Sequence, residues 1–270
     1  MSNKRKEVGI LAQVPTAVLG ILIILLVVPL AVAGTALVHN RVPGKLRESH
    51  TVPLGLINVG LNSIFGIIVG LTAFLVLGQY SDAQQALQSE AGDVEEIYRL
   101  AEPLPEPKRE EIQGLAASYA RVVVDEEWPL MREGKTSPHA DALIVELRNS
   151  IQDGYRTSTG AEQDFFGDEL DEMDQLDQDR EARLLALHQR LPSILWITLV
   201  VLAIATIGFS SLAGMENRRL HLLTVGTLAT GITLVLFTIA VLDRPFSTDF
   251  RVQPHPFELL LPELEGNRGQ

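Results

Sequence analysis

Six histidines and 34 acidic side chains are the residues of this chain that could carry out acid-base or metal chemistry. The histidines lie far apart, and none has a partner at the His-x-x-x-His spacing that places two imidazoles on one helix face. Phosphate-binding glycine loops and the Gly-x-Ser-x-Gly elbow are missing from the sequence. There is also no Cys to serve as a nucleophile, thiolate ligand or disulfide partner. The sequence therefore predicts a protein that is not an enzyme and uses no metal or other cofactor.

A face of small and polar residues within an apolar segment is the other candidate site. Its members fall within about 80° on a helical wheel and are Gly55, Asn62, Gly66, Gly70 and Ala73. The Gly66-x-x-x-Gly70 spacing is typical of close packing between membrane helices. The alternative is a narrow pore with Asn62 as its polar point. The apolar side chains that could form its gate are Phe65, Phe74 and Leu77.

Four apolar segments, each 23 or 24 residues long, must position these residues. They are residues 16–38, 54–77, 193–215 and 220–242, and none contains Asp, Glu, Lys or Arg. A helix rises about 1.5 Å per residue and the hydrocarbon core is about 30 Å thick, so each segment is long enough to cross a bilayer. The sequence predicts an all-α protein with four transmembrane helices, arranged as two hairpins that flank a helical insert.

The first segment has a second interpretation, as a signal peptide. Lys4, Arg5 and Lys6 precede it, and Ala31-Val32-Ala33 has the small-x-small form of a cleavage site. Its apolar run is longer than the roughly 7 to 15 residues of a signal sequence, however. We therefore expect a retained first span.

The insert of 112 residues, 80–191, holds 26 acidic and 11 basic residues. Apolar residues recur at helical spacing from the second span to about residue 101, which predicts that this span continues as one long amphipathic helix. Further helices are expected over about 106–132, 138–152 and 161–190, with a loop over 154–160 between the last two. The predicted divisions are a basic N-terminal segment 1–15, hairpin 16–79, acidic domain 80–191, hairpin 192–243 and C-terminal elbow and tail 244–270.

The distribution of charged residues limits the partners that the protein can bind and predicts its orientation in the membrane. The acidic insert should repel nucleic acid, so no nucleic-acid partner is expected. With the N-terminus inside, eight Lys and Arg residues flank the spans on the cytoplasmic side, Arg180 and Arg183 among them, against five on the other side. This excess favours a cytoplasmic N-terminus, insert and C-terminus.

Several short motifs lie in a characteristic order around the last two spans. Their residues are Glu126, Glu127, Trp128 and Pro129 in the insert, Arg180 and Arg183 before the third span, Pro192 and Trp196 at its start, and Asp243, Arg244, Pro245, Phe246 and Asp249 after the fourth. Their order and spacing resemble the bacterial bestrophin-like membrane proteins (the DUF4239 domain), and the layout is similar to that of the bestrophin anion channels.

The segment after the fourth span departs from the bestrophin pattern. Pro245 and Phe246 match the Pro-Phe-Gly of bestrophins, but Ser247 replaces the Gly and only Asp249 remains of the acidic residues that help to hold calcium in the animal proteins. Calcium prefers six to eight oxygen ligands, so one carboxylate does not predict a calcium site. We interpret this segment as an elbow at the membrane edge, where Pro245 ends the helix.

The resemblance implies a homo-oligomeric ion channel of the bacterial plasma membrane, with five subunits as in bestrophins, whose partners are the lipid bilayer, further copies of itself and inorganic ions. Two other classes stay open: a membrane-anchored scaffold or stress sensor, and a small-solute transporter. The absence of a carboxylate within the spans disfavours an ion-coupled carrier.

Overall fold

The computed structural model describes residues 15–41, 44–212, 217–248 and 252–266, with the backbone alone over 44–54. Every regular element among these residues is helical, which confirms the predicted fold class. The helices are α1 (Thr16–Arg41), α2 (Gly44–Leu100), α3 (Lys108–Val122), a π-helical turn (Val123–Glu127), α4 (Trp128–Met131), α5 (Pro138–Thr157), α6 (Ala161–His188), α7 (Ser193–Leu212), α8 (Arg218–Leu242) and α9 (His255–Gly266).

Two compact units divide the chain. The first, here called the membrane unit, comprises Met1–Gly78 and Arg190–Asp243. The second, called the helical domain, comprises Gln79–Gln189 and Arg244–Gln270. The described part of the C-terminal tail thus belongs with the insert. Its helix α9 buries Phe257, whose ring lies edge-on to Tyr119 at 6.3 Å between centroids.

Four helices among the described residues are long and apolar enough to cross a membrane. They are α1, α7, α8 and the part of α2 that begins at Gly55, with mean hydropathy between 2.2 and 2.9. The four predicted spans are thereby confirmed, and the last three residues of the third, 213–215, lie outside the described residues. α2 is a single helix of 57 residues, as the amphipathic pattern beyond residue 77 predicts.

The membrane unit is held together by apolar packing and a few hydrogen bonds between helices. Phe65 of α2 is buried among residues of α7 and α8 that include Leu199 and Ile232. The hydroxyl oxygens of Thr35 and Ser211 lie 2.8 Å apart and link α1 to α7. Bonds of this kind contribute about 0.6 kcal/mol on average in membranes, so most of the cohesion comes from packing.

The helical domain is built around the amphipathic face predicted for the second half of α2. The residues of that face are all buried, and they are Ala83, Leu87, Ala91, Val94, Tyr98 and Ala101. They form one apolar core with the inner faces of α3, α5, α6 and α9. Ser137 caps α5, since its hydroxyl accepts a hydrogen bond from the N–H of Ala140 at 3.3 Å.

The predicted loop over 154–160 is wrong in its first part, because α5 continues to Thr157. Gly154 does not end the helix. It lies within it and faces Phe166 of α6, where an added Cβ would come within 2.2 Å of the aromatic ring. The glycine therefore allows two helices to approach closely, a use that sequence alone does not distinguish from a helix stop.

The predicted helix over 106–132 is interrupted before Pro129. A proline ring clashes with the carbonyl four residues earlier in a regular α-helix. Here the chain widens into the π-helical turn instead, and the N–H of Trp128 donates to the carbonyl of Val123, five residues back. A π-helical turn holds one more residue than an α-helical turn, and this one contains Glu127, whose side chain is buried.

Candidate functional site

A network of buried charged residues occupies the core of the helical domain. Its carboxylates are Glu90 of α2 and Glu127 of the π-helical turn, and its cations are Arg180 and Arg183 of α6. Tyr119 of α3 completes the group. Because four separate elements each contribute at least one member, the network joins all of them at one place.

Arg183 lies at the centre of this network and is fully buried. Its Nη2 donates to Glu90 at 2.9 Å and to Glu127 at 2.7 Å, while its Nε also donates to Glu90. Its Nη1 lies 2.9 Å from the sulfur of Met131. The guanidinium plane is 5.8 Å from the ring centre of Trp128. Charge, hydrogen bonds and an aromatic face thus all compensate for the loss of water around this cation.

Arg180 continues the network toward the surface. It forms a bidentate pair with Glu127, at 2.8 and 2.9 Å, and donates to the half-exposed Asp141 at 2.6 Å. It also donates to the Tyr119 hydroxyl at 2.9 Å, and that hydroxyl in turn donates to Glu90. Every charged member therefore has an opposite charge beside it, which is the condition for burying ions without a large penalty.

The electrostatics keep both signs of charge in place near neutral pH. Burial alone would raise the pKa of Glu127, but the guanidiniums of Arg183 and Arg180 hold it below its usual value. Burial and the neighbouring Glu90 raise the pKa of the Tyr119 hydroxyl, which therefore stays protonated and able to donate. The network is a fixed arrangement of ions without an exposed nucleophile or base. The role of the network is therefore to hold the helices together.

Several of the predicted motif residues meet in this network. Glu127, Arg180 and Arg183 are its ionic members, and Trp128 packs edge-on against Phe246 at 5.7 Å between ring centres. Glu126 and Pro129 point outward, and Glu126 lies 3.1 Å from His139 on the surface. Pro245 is buried beside Phe246, while Arg244 is exposed.

Sequence reasoning missed Glu90 and Tyr119 as members of the network, and Asp141 as the surface carboxylate that Arg180 reaches. Glu90 lies three residues after Leu87 and four before Val94, so it interrupts the apolar face of α2. A carboxylate on the buried side of an amphipathic helix needs a cation there. The position of Glu90 on the apolar face is therefore the sequence feature that indicates a buried cation nearby.

Asp243 joins the ends of two helices within the membrane unit. Its carboxylate accepts hydrogen bonds from the backbone N–H of Leu191 at 2.7 Å and from the indole of Trp196 at 3.4 Å. The end of α8 is therefore tied to the start of α7, next to the exposed Pro192. The interpretation of the segment after the fourth span as an elbow at the membrane edge stays a prediction. Asp249 lies outside the described residues.

The predicted small-residue face of α2 is open within one chain. A Cβ added at Gly55, Gly66 or Gly70 would meet no atom within 4 Å. Asn62 and Ala73 are partly exposed, and the Asn62 side chain donates to the carbonyl of Asn58 at 2.8 Å.

The three predicted gate residues do not lie together. Phe65 is buried against α7 and α8, whereas Phe74 and Leu77 are 75% and 54% exposed. Only Phe74 and Leu77 thus remain available to a neighbouring subunit or a pore. Among the described residues, no group of three or more His, Asp or Glu side chains is arranged to hold a metal ion.

An open groove of about 1160 Å³ lies on the helical domain between the end of α2 and α3. Its walls carry five glutamates and one arginine, namely Glu102, Glu106, Glu110, Glu111, Glu146 and Arg109. Such a surface attracts cations through its summed charge. Its acidic side chains are exposed, and two of them are paired with basic residues, Glu106 with Arg109 and Glu111 with Lys108.

Comparison with known proteins connects these features to a family. Residues 25–257 match the bestrophin-like domain. A solved crystal structure of a membrane protein has the same fold, with a TM-score of 0.71 at 11% sequence identity, over 92% of this chain and 99% of the other. The search of curated proteins found no match. Because the matched region covers most of the chain, from within the first span to the start of α9, the chain belongs to the bestrophin-like family of membrane proteins.

Proposed function

We propose that this protein is a homo-oligomeric ion channel of the bacterial plasma membrane, in which the second span of each subunit lies against its neighbours around a pore. It acts on inorganic ions and is not an enzyme. Membership of the bestrophin-like family supports a channel-like role.

The observation that carries this proposal is the open face of α2. Gly66 and Gly70 make room for a close neighbour, and no atom of the described part of the chain lies within 4 Å of a Cβ added at either. Small residues in membrane helices are enriched where helices pack and have no such use toward lipid. A second copy of α2 is the partner that a homo-oligomer provides for this face.

Asn62 lies on the same face, near the middle of the apolar half of α2. In a ring of subunits, this polar side chain would lower the barrier that apolar side chains impose by excluding water. Phe74 and Leu77 lie further along the helix and are exposed. They are the apolar residues best placed to narrow such a pore.

A cytoplasmic N-terminus, helical domain and C-terminus complete the proposal. The supporting asymmetry is the excess of Lys and Arg beside the spans on that side. Two residues in that count, Arg180 and Arg183, are neutralised by carboxylates in the folded domain. Labelling of single cysteines from outside intact cells tests this orientation directly.

Conductance of the purified protein in planar bilayers tests the function. We expect single-channel currents from the wild type, and a lower conductance for Asn62→Leu because the polar point of the pore is lost. Phe74→Ala should raise the fraction of time for which the channel is open, because it widens the narrow part of the pore. The matched control is Ile64→Leu, an exposed position about 160° around the helix from Asn62.

Equal conductance in Asn62→Leu and Ile64→Leu would remove Asn62 from the pore while leaving a channel. An absence of ion flux in the wild type, under chloride, sodium and potassium gradients and with or without membrane tension, would exclude the channel. A membrane-anchored scaffold or stress sensor would then be the remaining function.

A further inference from the structure

Two histidines lie side by side at one end of the membrane unit. His39 is in the last turn of α1, and His221 is the fourth residue of α8. The centres of their rings are 6.0 Å apart, and the ring planes are tilted by 54° to one another. The rings are therefore close but not stacked face to face. The two residues are far apart in the sequence, so no local spacing indicates this pair.

A hydrogen bond to α7 holds the His221 ring in one orientation. Its Nε2 lies 3.0 Å from the backbone carbonyl oxygen of Ser210. Ser210 is in the last turn of α7, where carbonyl groups have no partner within their own helix. Because a carbonyl can only accept a hydrogen bond, Nε2 carries the proton. Nδ1 of the neutral ring is then left with its lone pair.

Nδ1 of His221 is buried without a partner. The residue is 1% exposed, and this nitrogen has no hydrogen-bond partner in the part of the chain that the structure describes. Burial of a polar atom that makes no hydrogen bond is unfavourable. The bond to Ser210 caps the end of α7 and accounts for Nε2, but it does not account for the buried Nδ1.

This arrangement is typical of a histidine that binds a metal ion. Such a histidine binds through one ring nitrogen and donates the N–H of the other to a carbonyl or carboxylate, which fixes the tautomer and the direction of the ring. Zinc–nitrogen bonds of about 2.0–2.1 Å place the centres of two imidazoles on one ion roughly 5 to 6 Å apart. The separation of 6.0 Å between His39 and His221 lies at the upper end of this range.

The charges at these helix ends permit a bound cation. His39 lies at the C-terminal end of α1, where the helix dipole is negative, and this offsets the positive N-terminal end of α8. Arg41, Arg218 and Arg219 repel a cation, but all three are exposed, so water and salt screen their charges. His39 is half-buried, so an ion can reach the pair from the solvent at this end.

We propose that His39 and His221 bind a divalent transition-metal ion between α1 and α8. Nδ1 of His221 is one ligand, a ring nitrogen of His39 is the second, and water completes the coordination. Imidazole favours zinc, copper and nickel, whereas magnesium and calcium prefer oxygen ligands. Because Ser210 holds the His221 ring, the ion joins the first span to both helices of the last hairpin. The site is a property of the membrane unit and does not depend on ion conduction.

Electron paramagnetic resonance of one equivalent of Cu²⁺ tests the site in the full-length, tag-free protein in detergent, because the nitrogen couplings count the imidazoles bound to the ion. His139→Gln, His188→Gln and His255→Gln, all at exposed positions, remove the histidines of the helical domain and provide the background chain. We expect two coordinated imidazoles in this background and one after His39→Gln, which leaves the bond to Ser210 intact. Excess Zn²⁺ should displace the Cu²⁺, and excess Mg²⁺ should not.

His50→Gln is the matched control, because it keeps both members of the pair, and it should retain two coordinated imidazoles. Thermal unfolding separates metal binding from a purely structural role of the two histidines. Zn²⁺ should raise the Tm of the background chain, since it binds the folded state, and should not raise that of His39→Gln or His221→Gln. Fewer than two coordinated imidazoles in the background chain would overturn the proposal. The same imidazole number and the same rise in Tm after His39→Gln would overturn it as well, whether or not the protein conducts ions.

Discussion

Arg183 shows how single residues determine the stability of the helical domain. Removing one partner from a buried ion pair costs about 3–5 kcal/mol, because the other charge is left without compensation. Replacing all members by apolar groups can cost little. The importance of the network therefore lies in its completeness, and each member is expected to be sensitive to substitution.

Arg183→Met should lower the free energy of unfolding of the helical domain by about 3–5 kcal/mol, since Glu90 would remain buried and unpaired. The double variant with Glu90→Gln should recover part of the loss. Urea unfolding followed by the fluorescence of Trp128, in a Trp196→Phe background, reports on this domain alone. The control is Arg99→Met on the exposed side of α2, which should unfold like the wild type. Equal unfolding of the two variants would show that the network contributes nothing measurable.

The sequence marks the positions of three ionic members through their motifs, but it does not predict that they form a buried network. Arg180, Arg183 and Glu127 stand in motifs that resemble those of the family. Glu90 could not be distinguished by composition, because it is one of 26 acidic residues in an acidic insert. Only its position on the apolar face separates it from the solvated carboxylates, and that signal depends on assigning the helix register correctly.

At the scale of helices, length and apolar composition predict the spans. The structural role of a glycine within a helix is not determined in the same way. A glycine within a helix can end it, or can let a neighbouring helix approach. Gly154 has the second use, and the ring of Phe166 that reveals it lies on another element. The C-terminal tail also carries a helical signal, because Phe257, Leu260 and Leu264 recur at helical spacing and are all buried.

Gly154→Ala should destabilise the helical domain by about 1–3 kcal/mol, because its Cβ would overlap the fully buried ring of Phe166. Gly92→Ala is the matched control, since an added Cβ there meets no atom within 4 Å. It should be neutral or stabilising by up to about 1 kcal/mol, the difference in helix propensity. Thermal unfolding of both variants makes the comparison. Adding Phe166→Leu to Gly154→Ala should restore part of the stability, and a lack of any difference between the two glycine variants would contradict the close approach.

At the scale of the whole molecule, the number of spans and the order of hairpin, insert and hairpin follow from composition, because charge-free segments of this length have few alternatives to a bilayer. Assembly and orientation do not follow in the same way. They depend on surfaces that are open within one chain, such as the Gly66 and Gly70 face, and on a small difference in flanking charge.

Gly66→Leu should reduce or abolish the oligomer, because the larger side chain keeps neighbouring helices apart. Gly60→Leu is the control, since Gly60 lies about 120° from Gly66 around the same helix. Both glycines are open within the chain, so neither change should disturb the fold of one subunit. Mass photometry in nanodiscs measures the subunit number. A monomeric wild type would contradict the proposed assembly directly.

Labelling in intact cells tests the orientation. Single cysteines at Ser49, between the first two spans, and at Gln178, on the exposed surface of α6, are compatible with the Cys-free background. An impermeant maleimide should react at position 49 and not at position 178. Reaction at 178 alone would reverse the proposed orientation, and reaction at both positions would require a different number of spans.

The pairing of Glu90 with Arg183 also has a consequence for biosynthesis. The two residues are 93 positions apart, and α2 is made long before α6. At about 5–20 residues per second, Glu90 waits roughly 5–20 s for its cation after leaving the peptidyl-transferase centre. During that interval the apolar face of α2 carries an unpaired carboxylate and cannot close its core. Nascent chains that stop before Arg183 should therefore be held by chaperones or removed by proteases, and quality control of this protein should act mainly on incomplete chains.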